Sequence, residues 1–373
     1  MTSGRRSTGT GLFVVLLPTF ECNLACDYCF EDHPRGRWTA DEAGRVLAQV
    51  FRLSASEGFD EVRLHWQGGE ALLLGEDFWT RVLALAEDIA GEFGIAIDQR
   101  MQTNLTLYEP WLAPLARRHF GGQIGTSYDG TGERRTLGGG VDDFERRFWR
   151  AFREATDAGV EIGVLAVVRP QAIREGPAPY LARLRERGIA RLRLSLPFAT
   201  STGRGAWLEP GPAGRFLAGA YRTWARSGKD RWMQLRPFGF LESRLSGQAP
   251  TEPGLCSFSG NCADGGLAVD PGGGVWLCDS CIGTRASYGN ALSGELREAW
   301  RGAGRAGTRH ACAQLVGARC LECRWLPVCS GGCLVRSTPD DDGALVDHYC
   351  DAYRELFHAV EQELAGVRAS PPP

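Results

Sequence analysis

Short apolar runs alternate with amphipathic segments over the first two thirds of the chain. The apolar runs have the length of buried strands, and the segments between them carry apolar residues at helical spacing. The predicted strands cover residues 12–18, 61–67, 98–103, 122–128, 161–168 and 191–198, and the predicted helices cover residues 40–56, 76–93, 109–119, 142–158 and 178–188. Thr39, with Glu42 three residues later, predicts a capping box on the first helix. This alternation predicts an α/β fold with a parallel sheet of right-handed βα units, and six such units suit a partial (β/α)6 barrel.

The pattern changes near residue 235. From Leu255 to Cys350 the chain contains ten of its 13 cysteines, many glycines and few long apolar runs. Such a segment cannot bury enough apolar surface by itself, so we expect metal centres to organise it. A last helix is predicted at about residues 347–365. The sequence therefore predicts a barrel domain over residues 1–235 and a loop-rich, cysteine-rich domain with a C-terminal helix over residues 236–373.

Charge and hydropathy limit the possible partners and the compartment. Lys and Arg number 42 and Asp and Glu 45, a net charge of -3 that argues against binding nucleic acid through its phosphates. No apolar run reaches the roughly 18 residues that span a bilayer, so no membrane partner is expected. Pro18 and Glu21 interrupt the first apolar run, which favours a buried strand over an export signal. We therefore expect a cytoplasmic protein, in which cysteines ligate metal or carry redox chemistry.

Three cysteines follow the first predicted strand with the spacing C-x3-C-x2-C. Cys22, Cys26 and Cys29 supply three thiolates, whereas a structural zinc site needs four ligands. A four-iron cluster held by three thiolates leaves one iron open. The motif resembles the cluster motif of the radical S-adenosylmethionine (SAM) superfamily. The resemblance implies that the open iron binds SAM, which is cleaved reductively to a 5′-deoxyadenosyl radical.

Polar motifs at the ends of the next strands agree with this resemblance. Gln67-Gly68-Gly69-Glu70 resembles the glycine-rich motif that meets the methionyl amine of SAM, with glycines that allow close backbone approach and a carboxylate for the ammonium. Leu105 stands where the family often has glycine, and a guanidinium fork near residue 134 suits the SAM carboxylate. The cofactor-binding residues that the resemblance implies are Gly68, Gly69, Glu70, Asn104, Ser127, and Arg134 or Arg135.

The cysteines of the second domain have a spacing of their own. Gly273 and Cys278 are followed by four cysteines with the spacing C-x2-C-x5-C-x3-C, which begins at Cys320, and then by a last cysteine, Cys350. This order resembles the SPASM domain signature. That resemblance implies two auxiliary four-iron clusters, each with four thiolates and no open iron. The first would be held by Cys256, Cys262, Cys278 and Cys333, and the second by Cys320, Cys323, Cys329 and Cys350. With the SAM-binding cluster, the expected cofactors are three [4Fe-4S] clusters and SAM.

In length and layout the chain is closest to the anaerobic sulfatase-maturating enzymes, which oxidise a cysteine or serine side chain to formylglycine. Asp279 matches the aspartate that acts as their general base. When such a base takes a proton from the substrate radical, the radical becomes easier to oxidise. Glu31 stands where those enzymes typically carry a tyrosine, which suggests a more polar or cationic substrate. The residues expected to face the substrate are Glu31, Gln67, Gln102, Tyr128 and Asp279.

The leading hypothesis is therefore a radical SAM/SPASM oxidoreductase. It would abstract a carbon-bound hydrogen from a peptide residue or small natural product and oxidise the resulting radical through an auxiliary cluster, in a dehydrogenation or cross-link. A low-potential electron donor of the flavodoxin or ferredoxin type is expected. The alternative within the enzyme class is a redox-neutral epimerase of a sugar, aminocyclitol or peptide, with Cys281 as hydrogen donor. Cys312 is a second spare thiol, expected to be a small buried apolar residue.

Two hypotheses of another class compete with the enzyme. An iron–sulfur electron carrier has no use for a three-thiolate open cluster beside a glycine motif of this kind. A zinc-organised interaction protein would bind four thiolates per zinc and no iron.

Overall fold

The computed structural model describes residues 11–29, 31, 36–199, 207–250, 256–260, 262–283, 287–340 and 342–369. The strands are β1 (Leu12–Leu16), β2 (Glu61–Trp66), β3 (Ala96–Thr103), β4 (Gln123–Ser127), β5 (Glu161–Val167), β6 (Arg191–Ser195), β7 (Gln234–Arg236), β8 (Gly266–Val269), β9 (Gly274–Trp276), β10 (Gly289–Asn290), β11 (Ser337–Pro339) and β12 (Leu345–Asp347). The helices are α1 (Ala40–Glu57), α2 (Gly75–Phe93), α3 (Leu112–His119), α4 (Gly140–Asp157), α5 (Pro170–Glu175), α6 (Pro177–Glu186), α7 (Pro210–Arg226), α8 (Phe238–Leu245), α9 (Cys262–Gly265), α10 (Leu296–Arg301), α11 (Ala303–Gln314), α12 (Ala318–Leu321), α13 (Leu326–Cys329) and α14 (Cys350–Ala369).

The first six strands confirm the predicted α/β architecture. Strands β1 to β7 pair in chain order and all in parallel, so the βα units form one continuous sheet. The capping box on α1 is present, because the Glu42 amide donates to Thr39 Oγ1 at 3.1 Å and the Thr39 amide donates to Glu42 Oε2 at 2.8 Å. Among the helices of the described residues, none combines the length and apolar character needed to cross a bilayer.

The cysteine-rich segment contributes strands to this same sheet, which the sequence pattern did not predict. β8 pairs in parallel with β1, and β9 and β10 continue outward in antiparallel order. β7 was also missed, because its three residues are too few for a periodic signal. The last helix, α14, packs along α7 and α8 and ties the end of the chain to the barrel.

The sheet has an outer face against the helices and an inner face. Trp66 Nε1 donates to Gln99 Oε1 at 3.0 Å, and Gln99 Nε2 donates to the Leu83 carbonyl of α2 at 3.4 Å, so these side chains lie outside. Successive strand residues point to opposite faces, and laterally paired residues of parallel strands share a face. The strand register therefore places on the inner face His65, Gln67, Arg100, Gln102, Gly125, Ser127, Gly163, Leu165 and Arg193.

Candidate active site

The loop with the three cysteines lies directly after β1, at the carboxyl end of the sheet. A segment that follows β4 holds it through backbone hydrogen bonds: the Ala25 amide donates to the Arg135 carbonyl at 2.9 Å, and the Leu137 amide donates to the Asn23 carbonyl at 3.1 Å. The loop is thus fixed to the segment after β4 at the barrel mouth, where enzymes of this architecture carry out their chemistry.

The three thiols of this loop are electrostatic neighbours. Burial raises the pKa of Cys22 to about 12, and the nearby Glu70, Cys26 and Cys29 add to the rise. Burial also raises the pKa of Cys26, while the Arg134 guanidinium lowers it. A cysteine that binds a metal must be deprotonated, so iron binding here would release protons. The positive charge of the iron would then offset the negative charge of the buried thiolates.

The glycines of the second motif are required by the backbone of the cysteine loop. A Cβ on Gly68 would collide with the Thr19 carbonyl oxygen, and a Cβ on Gly69 would collide with the carbonyl oxygens of Phe20 and Glu21. The Gly69 amide donates to the Thr19 carbonyl at 3.0 Å. In this structure, these glycines therefore allow the backbone after β2 to pack closely against the segment that links β1 to Cys22.

Glu70 is buried, and its carboxylate is occupied by protein donors. It accepts hydrogen bonds from the Leu72 amide at 2.9 Å, Thr103 Oγ1 at 2.5 Å and the Asn104 amide at 2.6 Å. Burial raises the pKa of Glu70, and these three donors oppose the rise. An ionised carboxylate has about four acceptor positions, so about one is left for an ammonium group.

Asn104 reaches the cysteine loop from the end of β3. Its Nδ2 donates to Asn23 Oδ1 at 2.8 Å and lies 3.9 Å from Cys22 Sγ, while its Oδ1 accepts from Thr106 Oγ1 at 2.6 Å. The next residue, Leu105, is fully buried with a φ of 67°. The family's glycine at this position is explained by this left-handed backbone, which costs other residues about 1–2 kcal/mol.

We expect Leu105→Gly to be at least as stable as Leu105→Ala, although both lose the buried side chain at about 2–5 kcal/mol. Glycine relieves the left-handed backbone and alanine does not. The matched control is Leu64, a buried residue in β2, where glycine should be less stable than alanine by about 1 kcal/mol. Denaturant unfolding under anaerobic conditions measures all four variants. The same order of stability at both positions would contradict the expectation.

The two candidate arginines differ in position. Arg134 is buried, and its Nε donates to Asp129 Oδ2 at 3.0 Å. Asp129 also accepts a hydrogen bond from the Tyr28 hydroxyl, so the arginine is tied to the residue before Cys29. Arg135 is half-exposed and pairs with Asp27. Arg134 is therefore the one enclosed beneath the cysteine loop.

A polar group on the inner face joins the barrel to the cysteine-rich segment. Gln67 Nε2 donates to Asp279 Oδ2 at 2.7 Å, a contact between residues 212 apart in sequence. On the neighbouring strands Gln102 Nε2 donates to Ser127 Oγ at 2.9 Å. The structure thus brings Gln67 and Asp279 together, with Gln102 and Ser127 on the same face.

His65 belongs to this group and was missed from the sequence. It is enclosed in the barrel one inner-face position below Gln67. Burial lowers the pKa of His65, the Asp279 carboxylate partly opposes this, and the Arg193 guanidinium adds to it. The signal was present in β2, where Arg63, His65 and Gln67 alternate with apolar residues and so share one face.

Tyr128 does not join this group. Its ring stacks on Phe148 of α4 with centroids 4.7 Å apart, and its hydroxyl donates to Glu145 at 3.0 Å. Tyr128 follows Ser127 by one residue and therefore points to the outer face. The contacts give no support to its predicted place at the substrate. Glu31, which stands where the sulfatase-maturating enzymes typically carry a tyrosine, is half-buried two residues after Cys29.

The auxiliary cysteines form two groups of neighbours. Burial raises the pKa of Cys333 to about 11, and Cys256 is among the groups that raise it further. Cys281 and burial raise the pKa of Cys278, and Cys333 is again a neighbour. Three of the four cysteines assigned to the first auxiliary cluster are thus close to one another.

The second group is equally distinct. Burial raises the pKa of Cys329 to about 12, with Cys350 and Cys320 among the groups that raise it further. The Cys323 amide donates to the Cys320 carbonyl at 3.0 Å, which places the fourth cysteine on the same turn. These neighbours agree with the assignment to the second auxiliary cluster.

Each of the two spare thiols lies against one of the cysteines assigned as a cluster ligand. Cys281 is 1% exposed, and its sulfur is 3.6 Å from that of Cys278. Cys312 is the neighbour that most raises the pKa of Cys262. At 1% exposure Cys281 offers no accessible surface to a substrate, so its placement gives no support to a role as hydrogen donor.

Within the described part of the chain, no three His, Cys, Asp or Glu side chains converge on a point that could hold a single metal ion. The thiolates of a four-iron cluster bind different irons, so they need not converge in this way. Thiolate sulfur is the donor that iron–sulfur clusters favour, so the sets of three and four cysteines fit such clusters.

The comparisons with known proteins agree over nearly the whole chain. No protein-family model matches it. The chain is 26% identical over 365 residues to a cysteine-type anaerobic sulfatase-maturating enzyme of Clostridium perfringens, covering 93% of this chain and 95% of that protein. It is 28% identical over 366 residues to a serine-type anaerobic sulfatase-maturating enzyme of Klebsiella aerogenes, covering 93% and 86%.

The solved structures show the same fold. Native anSMEcpe with bound AdoMet (SAM) and the Cp18Cys peptide superposes with a TM-score of 0.79 at 24% identity, over 96% of this chain and 98% of that one. SuiB of Streptococcus suis bound to S-adenosylmethionine superposes with a TM-score of 0.60 at 16% identity, over 87% and 73%. Fold and relatives together indicate an enzyme that resembles the radical SAM type, with the sheet of the solved structures and a cysteine-rich C-terminal segment. Its homologues are the anaerobic sulfatase-maturating enzymes, and the predicted resemblance to them is confirmed.

Proposed function

We propose that this protein is a SAM-dependent radical enzyme that oxidises a residue of a peptide substrate. The proposal includes three [4Fe-4S] clusters, one that binds SAM and two auxiliary. Relatives named as sulfatase-maturating enzymes and a similar structure with bound AdoMet and a peptide support it. The contact between Gln67 and Asp279 carries the proposal, because it joins the barrel's inner face to the residue directly after Cys278.

The residues that would hold the groups are already clustered. Cys22, Cys26 and Cys29 would bind the first cluster, and Glu70, Asn104 and Arg134 border it. When bound, the first cluster and SAM supply the radical that abstracts a carbon-bound hydrogen atom. The chain's own residues bind and orient the substrate and exclude water.

Asp279 is placed to remove a proton from the substrate after hydrogen abstraction. Gln67 donates to Oδ2, which orients the carboxylate and leaves Oδ1 as the free acceptor apart from a weak Ser280 contact at 3.4 Å. Loss of a proton makes the substrate radical a better reductant, and Asp279 is covalently next to Cys278. Cys278 would help to hold an auxiliary cluster, and that cluster would supply an electron acceptor next to Asp279.

This arrangement favours net oxidation over epimerisation. Asp279 faces Gln67 and His65, whereas Cys281 packs away against Cys278. A short 3-10 turn over Asp279–Cys281 separates the two directions, since residues two apart in such a turn do not point the same way. Product mass distinguishes the outcomes, because oxidation removes two hydrogens and epimerisation in deuterated water adds one deuterium.

The proposal also includes a division into a barrel and a SPASM domain near residue 235. It further includes a low-potential electron donor of the flavodoxin or ferredoxin type and a cytoplasmic setting. The donor is required because cleavage of SAM consumes an electron. Oxygen-sensitive clusters suit a reducing compartment.

Metal content tests the cofactor part of the proposal. After anaerobic reconstitution we expect about twelve irons per chain with matching sulfide, because the eleven assigned thiolates fit three four-iron clusters. Iron, sulfide and zinc analyses measure this. About four irons would retain the SAM site and remove the auxiliary acceptor, whereas stoichiometric zinc with little iron would contradict the enzyme.

A further inference from the structure

On the inner face of the barrel, Arg193 has no carboxylate partner among the described residues, and Arg236 of β7 is its lateral pair on that face. Three others have a carboxylate partner on the same face: Arg63 with Glu61 at 2.6 Å, Arg100 with Asp98 at 3.0 Å, and Arg191 with Glu161. Arg193 has no ion pair within the described residues, and its Nε is buried there without a hydrogen-bond partner.

The position of Arg193 follows from the strand register. Leu165 of β5 pairs with Arg193, and Ser127 of β4 pairs with Leu165, so all three point inward. Along β6, Arg193 is one inner-face position below Ser195, just as His65 is one position below Gln67 on β2. The lateral row that starts at Gln67 continues through Gln102, Gly125 and Gly163 to Arg191, so Arg193 lies one inner-face position beyond that row along β6. Its guanidinium is close enough to lower the pKa of His65.

There is room on the neighbouring strand β5, at the inner-face position before Leu165. A Cβ built on Gly163 of β5 would have no neighbour closer than 4.0 Å, the Ile124 carbonyl oxygen. At Gly125 of β4 the corresponding space is filled by the side chain of Gln102. The inner face is thus filled at Gly125 of β4 and open at Gly163 of β5, the strand next to the one that carries Arg193.

An arginine that is partly desolvated and unpaired is costly unless a ligand supplies the missing anion. We propose that Arg193, with His65 beside it, forms a subsite inside the barrel that binds a carboxylate of the substrate. This deepens the proposed function, on which it rests: the accepted peptide carries an acidic group that reaches the space at Gly163. The planar guanidinium can bind a carboxylate through two parallel hydrogen bonds, which also fixes the substrate's orientation.

The test uses the reconstituted holoenzyme with SAM bound, as wild type and as three variants. Arg193→Gln removes the charge, Arg193→Lys keeps it without the fork, and Arg153→Gln changes an exposed arginine of α4 as the matched control. The probes are short capped peptides of glycine and alanine with a central Asp, Glu, Asn or Gln. Binding is measured by anaerobic calorimetry, and iron content and circular dichroism confirm that each variant is folded and loaded.

We expect the wild type and Arg153→Gln to bind one acidic peptide about tenfold or more tighter than its amide counterpart, as for a charge-assisted hydrogen bond. Arg193→Gln should reduce this preference to within about twofold, and Arg193→Lys should keep part of it. Equal binding of acid and amide by the wild type, including no measurable binding of either, would overturn the subsite. Survival of the preference in Arg193→Gln would also overturn it.

The SAM carboxylate is the other source of such an anion. The affinity for SAM alone is therefore measured for the same variants, and a comparable loss in Arg193→Gln would assign the arginine to SAM and overturn the substrate subsite. Dithionite-driven release of 5′-deoxyadenosine is scored separately. Its absence from the wild type counts against the proposed function, whereas its presence without an acid preference counts only against the subsite.

Discussion

Asp279→Asn is expected to lower product formation by about 10²–10⁴-fold, the usual contribution of a general base, while reductive cleavage of SAM continues. Asparagine preserves the shape of the side chain and can still accept the hydrogen bond from Gln67 Nε2, but its amide cannot take a proton at neutral pH. The variant should therefore release 5′-deoxyadenosine without the mass loss of two hydrogens in the peptide. Mass spectrometry of both products measures this, with a panel of peptides that contain cysteine, serine or other central residues.

The control for this variant is Asp41→Asn, which removes an exposed carboxylate that pairs with Arg81 on the outside of the barrel. It should leave both products unchanged. If Asp279→Asn retained product formation within about tenfold of wild type, the loss would be smaller than a general base usually causes, and Asp279 would not be the general base. Oxidation would then need another proton acceptor, and His65 would be the nearest candidate on the inner face.

Cys26→Ala is expected to abolish SAM cleavage and to remove about four irons, because two thiolates cannot hold the open cluster. Cys26 is a half-buried thiol of the loop, and alanine there leaves the backbone bonds to the segment after β4 in place. Iron analysis, the electron paramagnetic resonance signal of the reduced cluster and the 5′-deoxyadenosine assay measure the result.

Cys312→Ser serves as the matched control, since this cysteine is outside all three predicted ligand sets. It should retain about twelve irons, the full content of three four-iron clusters, and also SAM cleavage. A loss of about four irons in Cys312→Ser would show instead that Cys312, not only its neighbour Cys262, ligates the first auxiliary cluster. Full activity of Cys26→Ala would contradict the assignment of the three-cysteine motif.

The positions of the cysteines in the structure do not by themselves distinguish the spare thiols from the assigned ligands. Cys281 adjoins Cys278, and Cys312 adjoins Cys262, so each spare thiol lies beside one assigned ligand. Spacing in the sequence separates these roles because the signature counts residues between ligands. Proximity alone would not have separated them.

The amino-acid sequence by itself determined the fold class, and it is the source of the predicted cluster-ligand roles of the cysteines. Alternation with period 2 in β2 and β3 and period 3.6 in α1 and α2 is a local property, so the parallel architecture could be predicted from it. The spacing of Cys22, Cys26 and Cys29 is likewise local. The same alternation also predicts where Tyr128 points, because this residue follows the inner-face residue Ser127 by one position and therefore points outward.

The tertiary structure alone decided which distant residues meet. Gln67 and Asp279 come together because β8 pairs with β1, and no local pattern encodes that pairing. The left-handed backbone at Leu105 is likewise imposed by the packing of β3 against the cysteine loop rather than by leucine's own preference. Arginines recur along the inner face, and only the three-dimensional pairing with carboxylates shows that Arg193 is left without one, because charge compensation depends on side chains from different strands.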